Sequence, residues 1–308
     1  MNFSDARPRE VERALAGPGL VLDLGAMRAR VRSRLADLAA ALHRVYPHFP
    51  FVADDSFVDV EVEVARERGL RALFKGGVQI LTDGVESLSP QPRPLAFPQL
   101  EWGLNWCFAR MRNQHLLLHS GVLEIAGKGL LLVAQPGSGK STLTAALSLR
   151  GARVLSDEFG VVRLDDLHLL PIPKPIALKN QSIDVIRQWS DDAVIGPVFH
   201  KTHKGDVAHL AMSEASARSR AVTALPGVVV FPQWSEHAQT RLQMVRPAKA
   251  FSLLAVNSFN YDLLGPEGFD AVAALAARCQ FFLLEYSRLD EAVALLDDLC
   301  AGLPPPLS

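Results

Sequence analysis

Ala134-Gln135-Pro136-Gly137-Ser138-Gly139-Lys140-Ser141-Thr142 is the stretch that decides the fold. The apolar run Leu130 to Val133 leads into it, and Leu143, Ala146 and Leu147 follow at helical spacing. The spacing predicts a short buried strand, a tight loop and a helix over 141–150 with Gly151 as its C-terminal cap. Gly137 and Gly139 let the backbone curl so that successive N–H groups point at phosphate oxygens. The helix behind them turns its positive end toward the same anion. The pattern is that of a P-loop (Walker A), with Ala134 where a glycine is more usual. It makes Gln135, Pro136, Gly137, Ser138, Gly139, Lys140, Ser141 and Thr142 the expected nucleotide-binding set. Lys140 is expected to reach the β- and γ-phosphates of ATP, and Ser141 to coordinate Mg²⁺. A glycine-rich turn with a chance lysine is the bland reading; the strand before and the helix after argue against it.

A phosphate loop needs a carboxylate near the metal. Ser156-Asp157-Glu158 follows the short apolar strand Arg153 to Ser156. Asp157 is a candidate to bind Mg²⁺, directly or through water, or to take the proton of an attacking hydroxyl. Glu158 fills whichever role Asp157 leaves. Both are therefore catalytic and metal candidates, with Lys140 and Ser141. Asp165-Asp166 reads instead as the tip of a hairpin between residues 159–164 and 167–170.

Working outward, Leu116 to Ile125, Val228 to Phe231 and Gln280 to Tyr286 read as strands, and 269–278 and 289–301 as helices. Interleaved strands and helices predict an α/β domain with a mixed sheet over 115–308. A smaller α+β region over 1–114 precedes it, and carries no motif. There, Leu35, Leu38 and Leu42 predict one amphipathic helix across 21–46, its arginines facing solvent. Residues 57–64 alternate apolar and acidic and predict a half-buried strand, and 78–81 predicts another. Pro90, Pro92, Pro94 and Pro98 predict a linker or wrapping loop without regular structure.

Of 308 residues, 49% are hydrophobic and 21% charged, a balance that supports a real core. Thirty-two basic residues face 33 acidic ones, so no overall basic field argues for nucleic acid or an anionic membrane. Three cysteines lie far apart without a CxxC pair, which suggests reduced thiols and a cytoplasmic setting. The polar first ten residues do not read as a signal peptide, and no apolar run approaches a bilayer span of about 20 residues.

From Leu118 to Leu164 the chain resembles the core of HPr kinase/phosphorylase, and more so the HPr-kinase-related kinases of type A. The residues carrying this are H-S-G-V-L-E-I (119–125), A-Q-P-G-S-G-K-S-T-L (134–143) and R-G-A-R-V-L-S-D-E (150–158). Pro171 to Asn180, His203-Lys204-Gly205 and Asn257-Ser258-Phe259-Asn260-Tyr261 extend the likeness. It implies an HPr kinase/PEP carboxykinase type of P-loop domain that transfers the γ-phosphoryl of ATP to a hydroxyl. The acceptor would be a serine on a small protein or peptide, with Asp157 helping to deprotonate it and Ser141 helping to hold the metal. HPr kinases assemble as hexamers, so the resemblance also raises a homo-oligomer. Three departures stand out. Glu158 replaces the second aspartate of a pair. Ser120 stands where a histidine precedes Gly-Val, with His119 one position earlier and so on the opposite strand face from that histidine. The arginine-containing signature of true HPr kinases is absent, which weakens HPr itself as substrate and any phosphorylase activity.

Other candidates are weaker. His200, His203 and His209 lack an acid at helical spacing other than Asp206, and read as a loop with Lys201 and Lys204 better than as a metal site. Lys174 and Lys179 flank a proline-rich turn near the acids. Trp102 and Trp106 read as core or interdomain contacts, and Cys107 as a buried apolar residue. Two rival functions use the same core: a kinase for a small hydroxylated metabolite, and a nucleotide-binding switch or ATPase without phosphotransfer.

Overall fold

The computed structural model describes residues 1–54, 56–67 and 76–303. Its centre is a mixed eight-stranded sheet of β6 (His115–Ile125), β7 (Lys128–Val133), β8 (Arg153–Ser156), β9 (Phe159–Arg163), β10 (Leu169–Leu170), β14 (Pro226–Trp234), β15 (Arg241–Met244) and β16 (Gln280–Tyr286). The order is β10-β9-β6-β7-β14-β16-β15, with β8 also paired to β6. β7, β14 and β16 run parallel, and the remaining pairs of this sheet are antiparallel.

The apolar run in β7 is continuous because both faces are covered. Leu130 and Leu132 pack into one buried cluster with Leu143 and Leu147 of helix α4 (Lys140–Leu149) and Leu296 of α10 (Leu289–Gly302). Leu131 and Val133 pack into another with Leu254 of α7 (Pro247–Val256) and Val272 and Leu275 of α9 (Pro266–Arg278). The sheet is thus sandwiched, and the loop after β7 emerges between the two helical layers.

Before it lies a five-stranded sheet in the order β1 (Leu20–Asp23), β2 (Arg28–Ser33), β3 (Val60–Arg66), β4 (Gly77–Thr82) and β5 (Val85–Pro92). Helices α1 (Pro8–Ala16), α2 (Ala36–Val45) and α3 (Ala96–Met111) accompany it, α3 lying across β3 to β5. A third, antiparallel sheet joins β11 (Ile176–Lys179), β13 (Gly205–Leu210) and β12 (Phe199–Thr202). α5 (Gln181–Trp189), α6 (Glu214–Arg218) and the short α8 (Tyr261–Leu264) complete the described α-helices. One buried cluster runs from Phe3 through Leu104 and Phe108 to Leu117, Leu123 and Cys300, so the core is continuous between the two large sheets.

Two expectations are corrected. Residues 21–46 are two strands and a ten-residue helix, not one helix. Gly25 sits at φ 75°, and a Cβ there would run into the Arg220 carbonyl, so the chain turns where a helix would have to continue. Arg30 is buried on β2 and donates to the Ser56 carbonyl at 2.6 Å, where the helical reading put it in solvent. The proline-rich segment is also regular. Pro90 and Pro92 lie on β5, an edge strand that tolerates a missing N–H, and Pro98 occupies the first turn of α3, whose N–H groups have no intrahelical partner. The three cysteines are free and buried. Among the described residues, no helix is long and apolar enough to cross a membrane.

Candidate functional site

The loop over 134–139 takes its shape from two glycines in the left-handed region, Gly137 at φ 90° and Gly139 at φ 88°. Ser138 Oγ donates to the Gln135 carbonyl at 2.8 Å, and the Trp234 N–H to the Ser138 carbonyl at 3.1 Å. Gly139 then serves as the N-terminal cap of α4, without a side-chain cap on the helix N–H groups. The first turn of α4 therefore presents Lys140, Ser141 and Thr142 with backbone donors open toward the loop. The Gln135 amide is committed elsewhere: it donates to Asn257 Oδ1 at 2.8 Å.

Lys140 is 6% exposed, and its ammonium donates to the Asp157 carbonyl and lies 3.3 Å from Asp157 Oδ1. The Ser141 hydroxyl faces the same carboxyl. Burial raises the Asp157 pKa above the ordinary range against the pull of Lys140, with the neighbouring Glu158 charge adding to the rise. Ser156 Oγ accepts the Phe159 N–H at 3.1 Å, which fixes the turn holding both acids. Glu158 behaves differently. Burial would raise it, but Lys140, Lys179, His119 and Lys204 together outweigh burial and hold it below the usual value. The structure therefore brings Lys140, Ser141, Asp157 and Glu158 to one point beside the glycine loop.

Glu158 opens onto a cleft where Lys174 and Lys179, expected near the acids, meet residues of α3 that sequence reasoning did not place there. Its walls are Trp102 and Asn105 of α3, Lys174 and Lys179 around β11, and Lys204 at the β12–β13 turn. A contiguous recess extends past Lys204 and His203 to Ser89 and Gln91 on β5. Lys174 is neutralised by Glu101 at 2.8 Å, and Glu101 also accepts the Tyr46 hydroxyl at 2.6 Å. Lys204 lies over the Trp102 ring, 5.7 Å from its centroid, and burial lowers its pKa. Among the described residues, neither Lys179 nor Lys204 makes an ion pair, so the cleft keeps two free cations. The motif His203-Lys204-Gly205 is the turn itself, where Gly205 at φ 84° leaves no room for a Cβ against Asn180.

His119 belongs to this group. A Cβ on Gly121 would press on Thr144 and lie 3.7 Å from the Lys140 side chain, so odd positions of β6 face α4. Burial, then the Lys140 charge, lowers the His119 pKa, while Glu158 and Asp157 raise it. Strand parity relative to Gly121 was the available signal. Ser120 turns the other way, its hydroxyl buried against Gly160 without a hydrogen-bond partner among the described residues. Asn257-Ser258-Phe259-Asn260 braces this strand. The Asn257 carbonyl accepts the His119 N–H at 2.7 Å, the Asn260 side chain bonds Leu117 and His115, and the Phe259 ring packs on His119.

His200, His203 and His209 do not converge, in keeping with the loop reading. His200 pairs with Asp206 at 2.9 Å, His209 is buried beside Phe97, and His203 packs on Trp102. Among the described residues, no cluster of three or more His, Cys, Asp or Glu could cage a metal. An oxygen pair such as Ser141 and Asp157 suits Mg²⁺, a hard cation that takes one or two protein oxygens and completes its shell with phosphate and water.

No family model matches the chain, and no curated protein matches it. Among solved structures, one described as the HPr(Ser) kinase/phosphatase from Coxiella burnetii aligns with 60% of this chain and 94% of that chain. The identity is 12% and the TM-score 0.24, a likeness too slight to bear on what this chain does.

Proposed function

We propose that the chain is a Mg²⁺- and ATP-dependent phosphotransferase whose acceptor is a hydroxyl, a serine of a small protein or peptide. One observation carries this reading: an ammonium, a hydroxyl and two carboxylates converge where a loop with two left-handed glycines meets a helix N-terminus. In this reading the loop amides and Lys140 hold the β- and γ-phosphates, and Ser141 and Asp157 hold the metal. Mg²⁺ bound there would neutralise charge on the phosphates. Glu158 is the proton acceptor in this reading, because Asp157 is engaged by Lys140 and the metal while Glu158 lines the cleft. The acceptor oxygen bonds to the γ-phosphorus as the bond to the β–γ bridging oxygen breaks. Its proton passes to Glu158, and the nucleoside diphosphate leaves. The 1–114 region would contribute α3 and β5 as the acceptor wall.

The test is mass spectrometry of candidate small proteins and peptides after incubation with the protein, Mg²⁺ and ATP, beside a Glu158→Gln control. A serine phosphate that is absent from the control supports the proposal. ATP consumption without a modified acceptor favours an ATPase, and phosphate on a small metabolite favours a metabolite kinase; either result refutes the peptide acceptor.

A further inference from the structure

β7, β14 and β16 are parallel neighbours, so their carboxyl ends lie side by side. Ligands of open α/β sheets bind at such ends. The end of β7 carries the glycine loop; the ends of β14 and β16 carry Trp234 and Tyr286. The acids lie on the opposite flank of the loop, because Asp157 follows β8, which pairs with β6. A triphosphate seated with its γ end at Lys140 and Asp157 therefore has the β14–β16 side available for its nucleoside.

That side is a recess of about 530 Å³, within the usual range for small-ligand sites. Its lining includes Gly137, Ser138, Gln233, Trp234, Ser235 and Glu285. Trp234 is 47% exposed, yet two hydrogen bonds hold it. Its indole N–H donates to the Ser287 carbonyl at 3.3 Å, and its backbone N–H holds the Ser138 carbonyl at 3.1 Å. A large aromatic ring left open to solvent but anchored at both ends is a stacking platform in waiting. Glu285 is neutralised by Arg241 at 2.6 Å, so it does not repel phosphate.

We infer that Trp234 stacks on the aromatic base of the bound nucleoside triphosphate. This rests on the nucleotide reading of the loop, and the two are separable by using a ligand without a base. Mg²⁺–ATP and Mg²⁺–tripolyphosphate are titrated calorimetrically into the wild-type protein, Trp234→Ala and Trp234→Phe. Trp234→Ala should weaken ATP by about 5- to 150-fold, the range for loss of one base–aromatic stack. Trp234→Phe should stay within about threefold of wild type, since a ring remains. Both variants should bind tripolyphosphate as wild type does. A second readout needs no variant: ATP should quench the tryptophan emission of the wild-type protein more than tripolyphosphate does at saturation. Unchanged ATP affinity in Trp234→Ala overturns the inference, as do equal losses for both ligands or equal quenching by both. If wild type binds neither ligand, the nucleotide reading of the loop falls, and the base site falls with it.

Discussion

Gly139→Ala should damage the loop more than Gly137→Ala, although both glycines have nearly the same φ. At Gly137 (φ 90°) an added Cβ meets nothing within 4 Å. The cost there is the left-handed backbone alone, about 1–2 kcal/mol. At Gly139 (φ 88°) the Cβ would overlap the Tyr286 hydroxyl and come within 3.1 Å of its ring carbon Cζ and 3.2 Å of Trp234 Cβ. Tyr286 is buried and cannot swing away, so overpacking of about 1–3 kcal/mol is added. Gly139→Ala should thus cost about 2–5 kcal/mol in all. Tyr286→Phe removes the hydroxyl that donates to the Gly139 carbonyl at 3.3 Å, and should cost about 0.5–1.5 kcal/mol alone. In the double variant the worst overlap is gone. The double variant should therefore be more stable than the sum of the singles by about 1–3 kcal/mol, a coupling large enough to measure. Urea denaturation midpoints of the three variants and wild type give the cycle, and Mg²⁺–ATP titrations show whether affinity follows stability. Strict additivity, or equal costs at the two glycines, would refute the packing argument.

Lys140→Ala should lose most affinity for Mg²⁺–ATP and for Mg²⁺–tripolyphosphate alike in calorimetry, because it removes a charge from the phosphates and not from the base. Glu158→Gln should lower transfer by about 10²- to 10⁴-fold while leaving nucleotide affinity near wild type, whereas Asp157→Asn should weaken Mg²⁺-dependent binding as well. Since its cations hold Glu158 below the usual carboxylate value, kcat/KM should stay flat from about pH 8 to about pH 5; an acidic limb near neutrality would assign the proton to another group. Burial pushes the His209 ring down to about 4, with Glu101 opposing and Lys174 and Lys179 adding, from an ordinary value of 6.5. Its folded value is depressed, so the folded state holds the neutral ring: this stability is fully present above pH 6.5 and is lost as pH falls toward 4. The gap corresponds to about 3 kcal/mol, and denaturation midpoints of His209→Gln should lack that part of the acid decline.

The sequence by itself determined the strand–loop–helix over 130–149 and the two acids after the next strand. Every part of that unit is set by near neighbours: an apolar run, glycines that must adopt positive φ, and a helix period. The same reasoning failed at 21–46, where Leu38 and Leu42 do lie on a helix with Leu35 as its N-terminal cap, but the residues before it form β1 and β2, joined by a turn at Gly25 packed against Arg220. It failed again at 89–98, since an edge position and a helix first turn forgive proline, and neither is visible without pairing. Only the tertiary structure decided the cleft. Trp102, Lys174, Lys179 and Lys204 come from α3, the segment before β11, the end of β11 and the β12–β13 turn, and no local pattern links them. It also decided His119, whose face depends on which side of β6 receives α4, and Trp234, whose exposure depends on the parallel neighbours β7 and β16. A phosphate cradle made of backbone amides fits within one turn of chain. An acceptor wall must be built from side chains that approach from several directions, and their meeting is fixed by packing of the whole core.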